Sequence, residues 1–317
     1  MTMEKAIIVY LEVADGQPVK VSLEALNAAK QYAAKSGKGV SAVLIGAADA
    51  AAAVATYGVD EVLTVAADSY QPEAYAAILA DLCRTNNTEC LFVGSTRDGK
   101  ELSARVAAAL DAACVTDVTA LAESGWVRSV YGGSLTETVA VSGKAVISVR
   151  SGTFGKPEQD TALTAPVTEA AAAACELRAV VKEAVQELSE SVNLEDAEVI
   201  VAGGHGMGSA ENFQLVYELA DLLGGMVGAS RPAIDDGWAP RNRQIGQSGK
   251  IVAPKLYIAC GISGAIQHVS GMTGSGFVVA INKDENAPIF DVADVCIVGN
   301  VTDILPLMIE EIKSRKN

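Results

Sequence analysis

Val199-Ile200-Val201-Ala202-Gly203-Gly204-His205-Gly206-Met207-Gly208 joins a short β-branched run to a run of glycines, and residues 210–223 follow with apolar side chains at helical spacing. An apolar run without polar alternation reads as a strand buried on both faces. The glycines permit a tight turn, and the periodic segment after it reads as an amphipathic helix. Together they form a βα unit. Further buried strands are expected at 255–259, 277–281 and 295–298. Residues 302–315 read as a terminal helix whose basic residues gather at its C-terminal end, where the helix dipole favours them. The second half of the chain is therefore expected to be a smaller doubly wound domain.

The same alternation runs through the first half. Apolar runs at 6–11, 41–45, 61–65 and 90–94 alternate with helical patterns at 22–36, 48–57, 72–86 and 101–110. Val and Ile fill the runs, while Ala, Leu, Glu and Lys fill the helices, so local propensity and pattern agree on an α/β domain with a parallel sheet. From 126 to 150 the texture changes: 136–141 and 145–149 flank the turn signal Ser142-Gly143-Lys144 and read as antiparallel strands closing the domain. Gly152, Gly155, Pro157 and Pro166 mark a polar stretch, an alternating segment follows at 177–185, and Asn193 reads as a turn or cap before the alternation restarts. These signals place a boundary between about 152 and 193. The expected domains are 1–188 and 189–317.

Composition narrows the function. The 317 residues carry 24 basic and 39 acidic side chains, a formal net charge of −15. Such a chain offers no broad cationic surface for nucleic acid or anionic lipid. Its longest alanine-rich apolar stretch, 47–55, is broken by Asp49 and falls far short of the ~20 residues that span a bilayer. Residues 1–13 lack the basic, apolar, small-residue order of a signal peptide, so the expected location is cytoplasmic. Six cysteines include no C-x-x-C pair and only two histidines stand beside them, so neither structural zinc nor an iron–sulfur cluster is expected. Each cysteine is expected to be a small buried hydrophobe.

Four clusters carry the chemistry. The glycine loop 203–208 lies where backbone N–H groups can receive a phosphate, but Ser209 stands where G-x-G-x-x-G needs its third glycine, so a plain tight turn reads equally well. Residues 227–250 bring Ser230-Arg231-Pro232 and Gln244-Ile245-Gly246-Gln247-Ser248-Gly249-Lys250. Pro232 is expected to hold Arg231 extended, projecting a fixed cation from a strand end. Gly261-Ile262-Ser263-Gly264-Ala265-Ile266-Gln267-His268 leaves a strand directly into a helix start with donors for an anionic ligand. Asn282 closes another strand, where open α/β sheets hold ligands and where Asn also simply makes turns.

Read in order, these clusters resemble the alpha subunit of the electron-transfer flavoproteins, heterodimeric FAD proteins that pass electrons between dehydrogenases and an acceptor. Residues 201–207, 228–232, 246–250, 256–259, 261–268 and 280–284 carry the resemblance. It implies one FAD in the C-terminal domain and a beta subunit against the N-terminal domain. It also implies AMP, or in electron-bifurcating members a second FAD, in that beta subunit, and acyl-CoA dehydrogenase-type redox partners. Position by position, it puts Ser230 and Arg231 beside the isoalloxazine and Ile245, Gly246, Gln247 and Ser248 along its edge, the Ser248 hydroxyl towards N5. Ser263, Gly264, Ala265, Ile266, Gln267 and His268 would follow the flavin and ribityl phosphate, His268 on the O2 side. Asn282 would meet the nucleotide end, and His205, Asn300 and Val301 would lie near the cofactor.

The chain departs from the family pattern at His205, often Arg, at Ser248, often Thr, and at Asn300, in a stretch where the family has Asp. Two other classes compete. A flavin- or nicotinamide-dependent oxidoreductase acting on its own substrate needs a general acid or base, and the only histidines, His205 and His268, both sit in cofactor motifs. A nucleotide sensor would use Gly94-Ser95-Thr96-Arg97-Asp98-Gly99-Lys100, which lacks the spacing of a phosphate loop.

Overall fold

The computed structural model describes residues 7–179 and 194–316. The chain divides into two compact units, Met1–Val130 with Ser134–Gln186, and Glu187–Asn317, the turn Tyr131–Gly133 being counted with the second.

The first unit opens with β1 (Ile7–Tyr10), the short hairpin β2 (Val13–Ala14) and β3 (Gln17–Pro18), and α1 (Lys20–Ser36). It continues through β4 (Val40–Ile45), α2 (Ala51–Ala55), β5 (Glu61–Val65), α3 (Pro72–Thr85), β6 (Cys90–Gly94) and α4 (Arg97–Leu110). Then come β7 (Ala113–Leu121), β8 (Trp126–Val130), β9 (Leu135–Val139), β10 (Ala145–Val149) and β11 (Val167–Ala170). They make one nine-stranded sheet in the order β11-β5-β4-β1-β6-β10-β7-β8-β9. It is parallel except where β7, β8 and β9 run antiparallel. Two apolar layers line its faces, one with Leu26, Phe92, Trp126 and Ile147, the other with Ile8, Leu79, Leu91 and Leu102.

Two expectations need correction here. Residues 145–149 do not hairpin with the preceding strand; β10 pairs parallel with both β6 and β7. Its five residues are all buried while β9 is largely exposed, so a two-sided apolar strand takes the sheet centre and the polar one stays outside. The polar stretch after Gly152 also contains a strand: β11 pairs along β5 at the sheet edge, where exposed polar side chains are tolerated. The expected strand at 177–185 and the turn at Asn193 fall mostly or wholly outside the described residues.

The second unit runs β12 (Val199–Gly203), α5 (Ala210–Leu223), β13 (Met226–Ala229), α6 (Arg231–Asp235), β14 (Leu256–Cys260), α7 (Ile266–Val269), β15 (Val278–Asn282), β16 (Val295–Val298) and α8 (Val301–Lys316). Its all-parallel sheet has the order β13-β12-β14-β15-β16. Val201, Phe213, Ile258 and Leu305 pack on one face, and Ile200, Tyr257, Ala280 and Ile289 on the other, so this is a doubly wound fold. Helix α5 starts where the Ser209 hydroxyl accepts the Asn212 N–H at 3.2 Å and stops at left-handed Gly224, both ordinary end signals. Among the described residues, no helix is long and apolar enough to cross a membrane.

The cysteines split evenly. Cys83, Cys90 and Cys260 are buried as expected, whereas Cys114, Cys175 and Cys296 are exposed. Cys114 is the second residue of β7 and Cys296 lies in edge strand β16, both with exposed side chains. Burial pushes the Cys260 thiol up to about 12, which keeps it protonated and inert.

Candidate functional site: a glycine-built cleft at the strand ends of the second unit

In the second sheet the chain leaves β12 for β13 on one side and then returns to β14 on the other. The point where strand order reverses lies between β12 and β14, at whose carboxyl ends open α/β sheets leave a crevice. A cleft of about 460 Å³ is found there. It is lined by His205, Gly206, Ser230, Pro232, Gly261, Ile262, Ser263, His268 and Asn282, residues that follow or end four of the five strands.

Backbone packing explains the glycines. A Cβ on Gly204 would stand 2.3 Å from the Gly261 carbonyl oxygen and one on Gly206 2.7 Å from the same oxygen. The Gly206 N–H donates to that oxygen at 2.9 Å, and Gly204 N–H donates to the Cys260 oxygen at 2.8 Å. The turns after β12 and β14 are thus pressed together, main chain on main chain. Close approach of the two turns, which neither reading of the loop named, accounts for Gly204 and Gly206.

The segment after α6 is fastened in the same way. Ala229 and Gln244 bridge, as do Ile245 and Lys250, and the Gln247 N–H donates to the Gln267 carbonyl at 2.7 Å. Ile245 is buried, Gly246 lies against the backbone of residues 267, 268 and 271, and Gln247 and Ser248 are exposed. The Ser248 hydroxyl accepts from Gln244 Nε2 at 3.0 Å.

Arg231 differs from expectation. It is the first residue of α6 and helical, with extended Ser230 before it as the cap. Pro232 falls in the first helical turn, where its missing N–H leaves no hydrogen bond unmade, so the helix start overrides the usual bias of a residue before proline. The guanidinium remains largely exposed, 3.5 Å from the Asp235 carboxylate one turn on. Such a pair holds a side chain loosely and leaves its charge available. His205, also exposed, is fixed more firmly: its ring stacks on Trp238 at 5.6 Å and 13°, with Nε2 3.3 Å from Asp236.

The helix expected after Gly264 is a single turn, α7. Its dipole is correspondingly small, because aligned peptides are few. Ser263, Ala265, Ile266 and Gln267 are exposed, whereas Gly264 and His268 are buried. His268 Nε2 lies 2.8 Å from the hydroxyl of fully buried Tyr257. Burial drives the imidazole down to about 4, with the Ile245 backbone acting the other way, so the ring is neutral at pH 7. Its Nδ1 is buried with the Ile245 backbone as a weak neighbour and makes no well-formed hydrogen bond among the described residues.

Asn282 makes a turn and also borders the cleft. Its amide donates to the Ile262 carbonyl at 2.9 Å and its oxygen accepts the Asp284 N–H at 3.0 Å, so it builds a turn and lines the cleft at once. Asn300 precedes α8 and its carbonyl receives the Asp303 and Ile304 N–H groups, while the Val301 side chain is buried in the core; neither lines the cleft. Residues around 205, 230, 263, 268 and 282 therefore converge, and 245–248 is sewn to them through Gln267. Sequence reasoning left Tyr257 and Trp238 without a role. The signal for Tyr257 was a phenol within an otherwise aliphatic buried strand, where its hydroxyl must find a partner.

The first unit fills its own crevice. At the carboxyl ends of β1 and β6, the Thr96 hydroxyl accepts the Gly99 N–H at 2.9 Å and donates to Glu12 at 2.6 Å, while the Glu12 N–H donates to the Ser22 hydroxyl at 3.0 Å. A larger cleft of about 640 Å³, lined in part by Tyr32, Lys38, Trp126 and Lys144, opens where β6 and β10 begin, the end opposite to ligand sites in such sheets. Thr96→Val should therefore cost about 1–2 kcal/mol through the lost cap and the Glu12 contact, with Thr96→Ser near wild type in urea unfolding. Equal midpoints for wild type and Thr96→Val would show that the Thr96 hydroxyl is not structural.

The comparisons match this division. The family described as electron transfer flavoprotein domain matches residues 7–175, and the electron transfer flavoprotein FAD-binding domain matches residues 193–273. The electron transfer flavoprotein subunit alpha of Clostridium acetobutylicum is 39% identical, over 99% of this chain and 98% of its own. The chain belongs to the electron transfer flavoprotein alpha-subunit family. Protein FixB of Clostridium saccharobutylicum is 41% identical over 98% of this chain and 96% of its own, and the Bacillus subtilis alpha subunit 38% over 98% of each. The FAD-binding match takes in every lining residue of the cleft except Asn282.

Proposed function

We propose that this chain is the FAD-binding alpha subunit of a heterodimeric electron-transfer flavoprotein, a cytoplasmic electron carrier between dehydrogenases of the acyl-CoA dehydrogenase type and an acceptor. On this reading residues 189–317 hold FAD and residues 1–188 pair with a beta subunit that carries AMP or a second FAD. The observation that carries it is the glycine-built cleft with buried His268 among its lining residues, whose Nδ1 makes no well-formed hydrogen bond among the described residues, inside the segment matching the FAD-binding family. A buried imidazole nitrogen without a partner is costly unless a ligand meets it.

The lining set suits a large neutral-to-anionic ligand. It contains two hydroxyls, one amide, two imidazoles and main-chain glycines, and no carboxylate. Bound FAD supplies a ring that takes up and releases electrons one or two at a time. The chain's own residues bind and tune it: Arg231 gives a permanent positive charge at the carboxyl end of β13, Ser248 a hydroxyl, and the 263–268 turn a cradle of exposed polar groups. Such charges and donors favour the reduced, more negative ring.

The direct test is flavin counting and a redox titration of this chain co-purified with its beta subunit. FAD in this chain is the expected result, and a heterodimer without flavin would overturn the reading. Two flavins per heterodimer would indicate the electron-bifurcating class. Arg231→Ala should lower the flavin potential by about 60 mV, the equivalent of a tenfold change for a one-electron couple. Unchanged potentials would remove Arg231 from the site.

A further inference from the structure

The hydrogen bond between Tyr257 and His268 offers two arrangements, and they differ in how many buried groups they leave unmade. Tyr257 is fully buried on β14, its hydroxyl has His268 Nε2 as its one partner among the described residues, and burial keeps its phenol protonated. It therefore always has one hydrogen to give. If Nε2 carried the imidazole proton and donated it to the phenol oxygen, the tyrosine hydrogen would have no acceptor and Nδ1 would be a bare, unpaired acceptor. Two buried groups would be orphaned. If the phenol donates to a bare Nε2, the proton sits on Nδ1, and only that one N–H is left without a well-formed hydrogen bond among the described residues, the Ile245 backbone being its weak partner. Each orphan carries the desolvation penalty of a buried polar group left unpaired, so the second arrangement is favoured.

We infer that Tyr257 is a positioning residue: its hydroxyl fixes His268 in the neutral tautomer that presents Nδ1–H as a hydrogen-bond donor to the flavin. This rests on the function proposed above. The second histidine nitrogen thereby becomes a donor without a formal charge, preset before the ligand arrives and sealed from solvent. A donor of that kind strengthens as negative charge builds on its acceptor and needs no rearrangement at that moment. The orienting group lies on the rigid strand β14 rather than on a loop, and the ring it orients lies in the single turn α7.

The test uses the full chain labelled with ¹⁵N-histidine, alone and assembled with its beta subunit and FAD. The chain has two histidines, and His205→Asn assigns their ring signals. In wild type, His268 is expected to show a protonated Nδ1 and a bare Nε2. In Tyr257→Phe, which removes only the hydroxyl, the proton is expected to spread over both nitrogens. FAD content should stay unchanged, while the preference for reduced over oxidised flavin falls about tenfold. A wild-type ring protonated at Nε2 would overturn the inference, as would identical ring signals and potential in Tyr257→Phe. The wild-type spectrum stands even if the variant misfolds. Absence of FAD from the wild-type heterodimer would overturn the functional reading and this role together, and the flavin count separates that failure from a wrong tautomer.

Discussion

Gly264→Ala is expected to destabilise the second unit by about 3–5 kcal/mol and to remove most bound FAD. Gly264 has φ +89°, a conformation that L side chains rarely adopt. A Cβ there would stand 2.1 Å from the Ile289 nitrogen, 2.5 Å from its Cα and 2.6 Å from the Pro288 carbonyl carbon. All three are main-chain atoms, so no rotamer change relieves the collision. The Ile289 side chain is wholly buried, and its N–H donates to the Ser263 carbonyl at 3.1 Å. The contact that a methyl group would break is therefore the one that ties the 263–268 turn to the segment after β15. Gly237→Ala is the control, since Gly237 has φ +76° with nothing within 4 Å of its Cβ site. It should cost about 1 kcal/mol from backbone strain alone. Urea midpoints and FAD content of both variants are the readout, and similar losses would mean that strain, not collision, governs Gly264.

The second large effect is a pH dependence centred on His268. Its folded value lies near 4 against an ordinary value of 6.5, and its ring is almost entirely buried. Between those values the unfolded chain binds the proton and the folded chain does not, so folding stability rises with pH across that window. The contribution is fully present above pH 6.5 and is lost as pH falls towards 4. From pH 7 to pH 5 the loss amounts to about 2 kcal/mol. Protonation would also turn both ring nitrogens into donors, leaving the Tyr257 hydroxyl without its acceptor. Urea unfolding of wild type and His268→Gln at pH 7 and pH 5 isolates the effect, because every other titrating group is common to both. Wild type is expected to lose about 2 kcal/mol more than the variant, and equal losses would show that His268 is accessible to protons in the folded state.

Much of this was legible before any coordinates. Val199–Gly203 is an apolar run ending in glycine and Leu256–Cys260 one followed directly by Gly261, and that local pattern defines a parallel strand entering a tight turn. The order of the glycine, arginine and serine clusters pointed to the family, which the matches over 7–175 and 193–273 establish. Less legible were features that depend on competition between local preferences. Pro232 disfavours a helical Arg231 in general, but a helix start needs no N–H from it, and only the position of the cap at Ser230 reveals which preference wins. The turn at Ser142-Gly143-Lys144 looked like a hairpin because a hairpin signal is local, whereas the partners of β10 are strands far away in sequence.

The sequence by itself determined two α/β units, most of their buried strands and longer helices, and the family, because these follow from residue spacing over ten or twenty positions and from the order of short motifs. Only the tertiary structure decided that the glycines of two separate turns press main chain against main chain, that β10 occupies a place inside the sheet, and that a tyrosine on β14 meets a histidine eleven residues later. Those relations arise where chain ends of parallel strands converge. The distance between side chains there is set by sheet order and twist rather than by their separation along the chain.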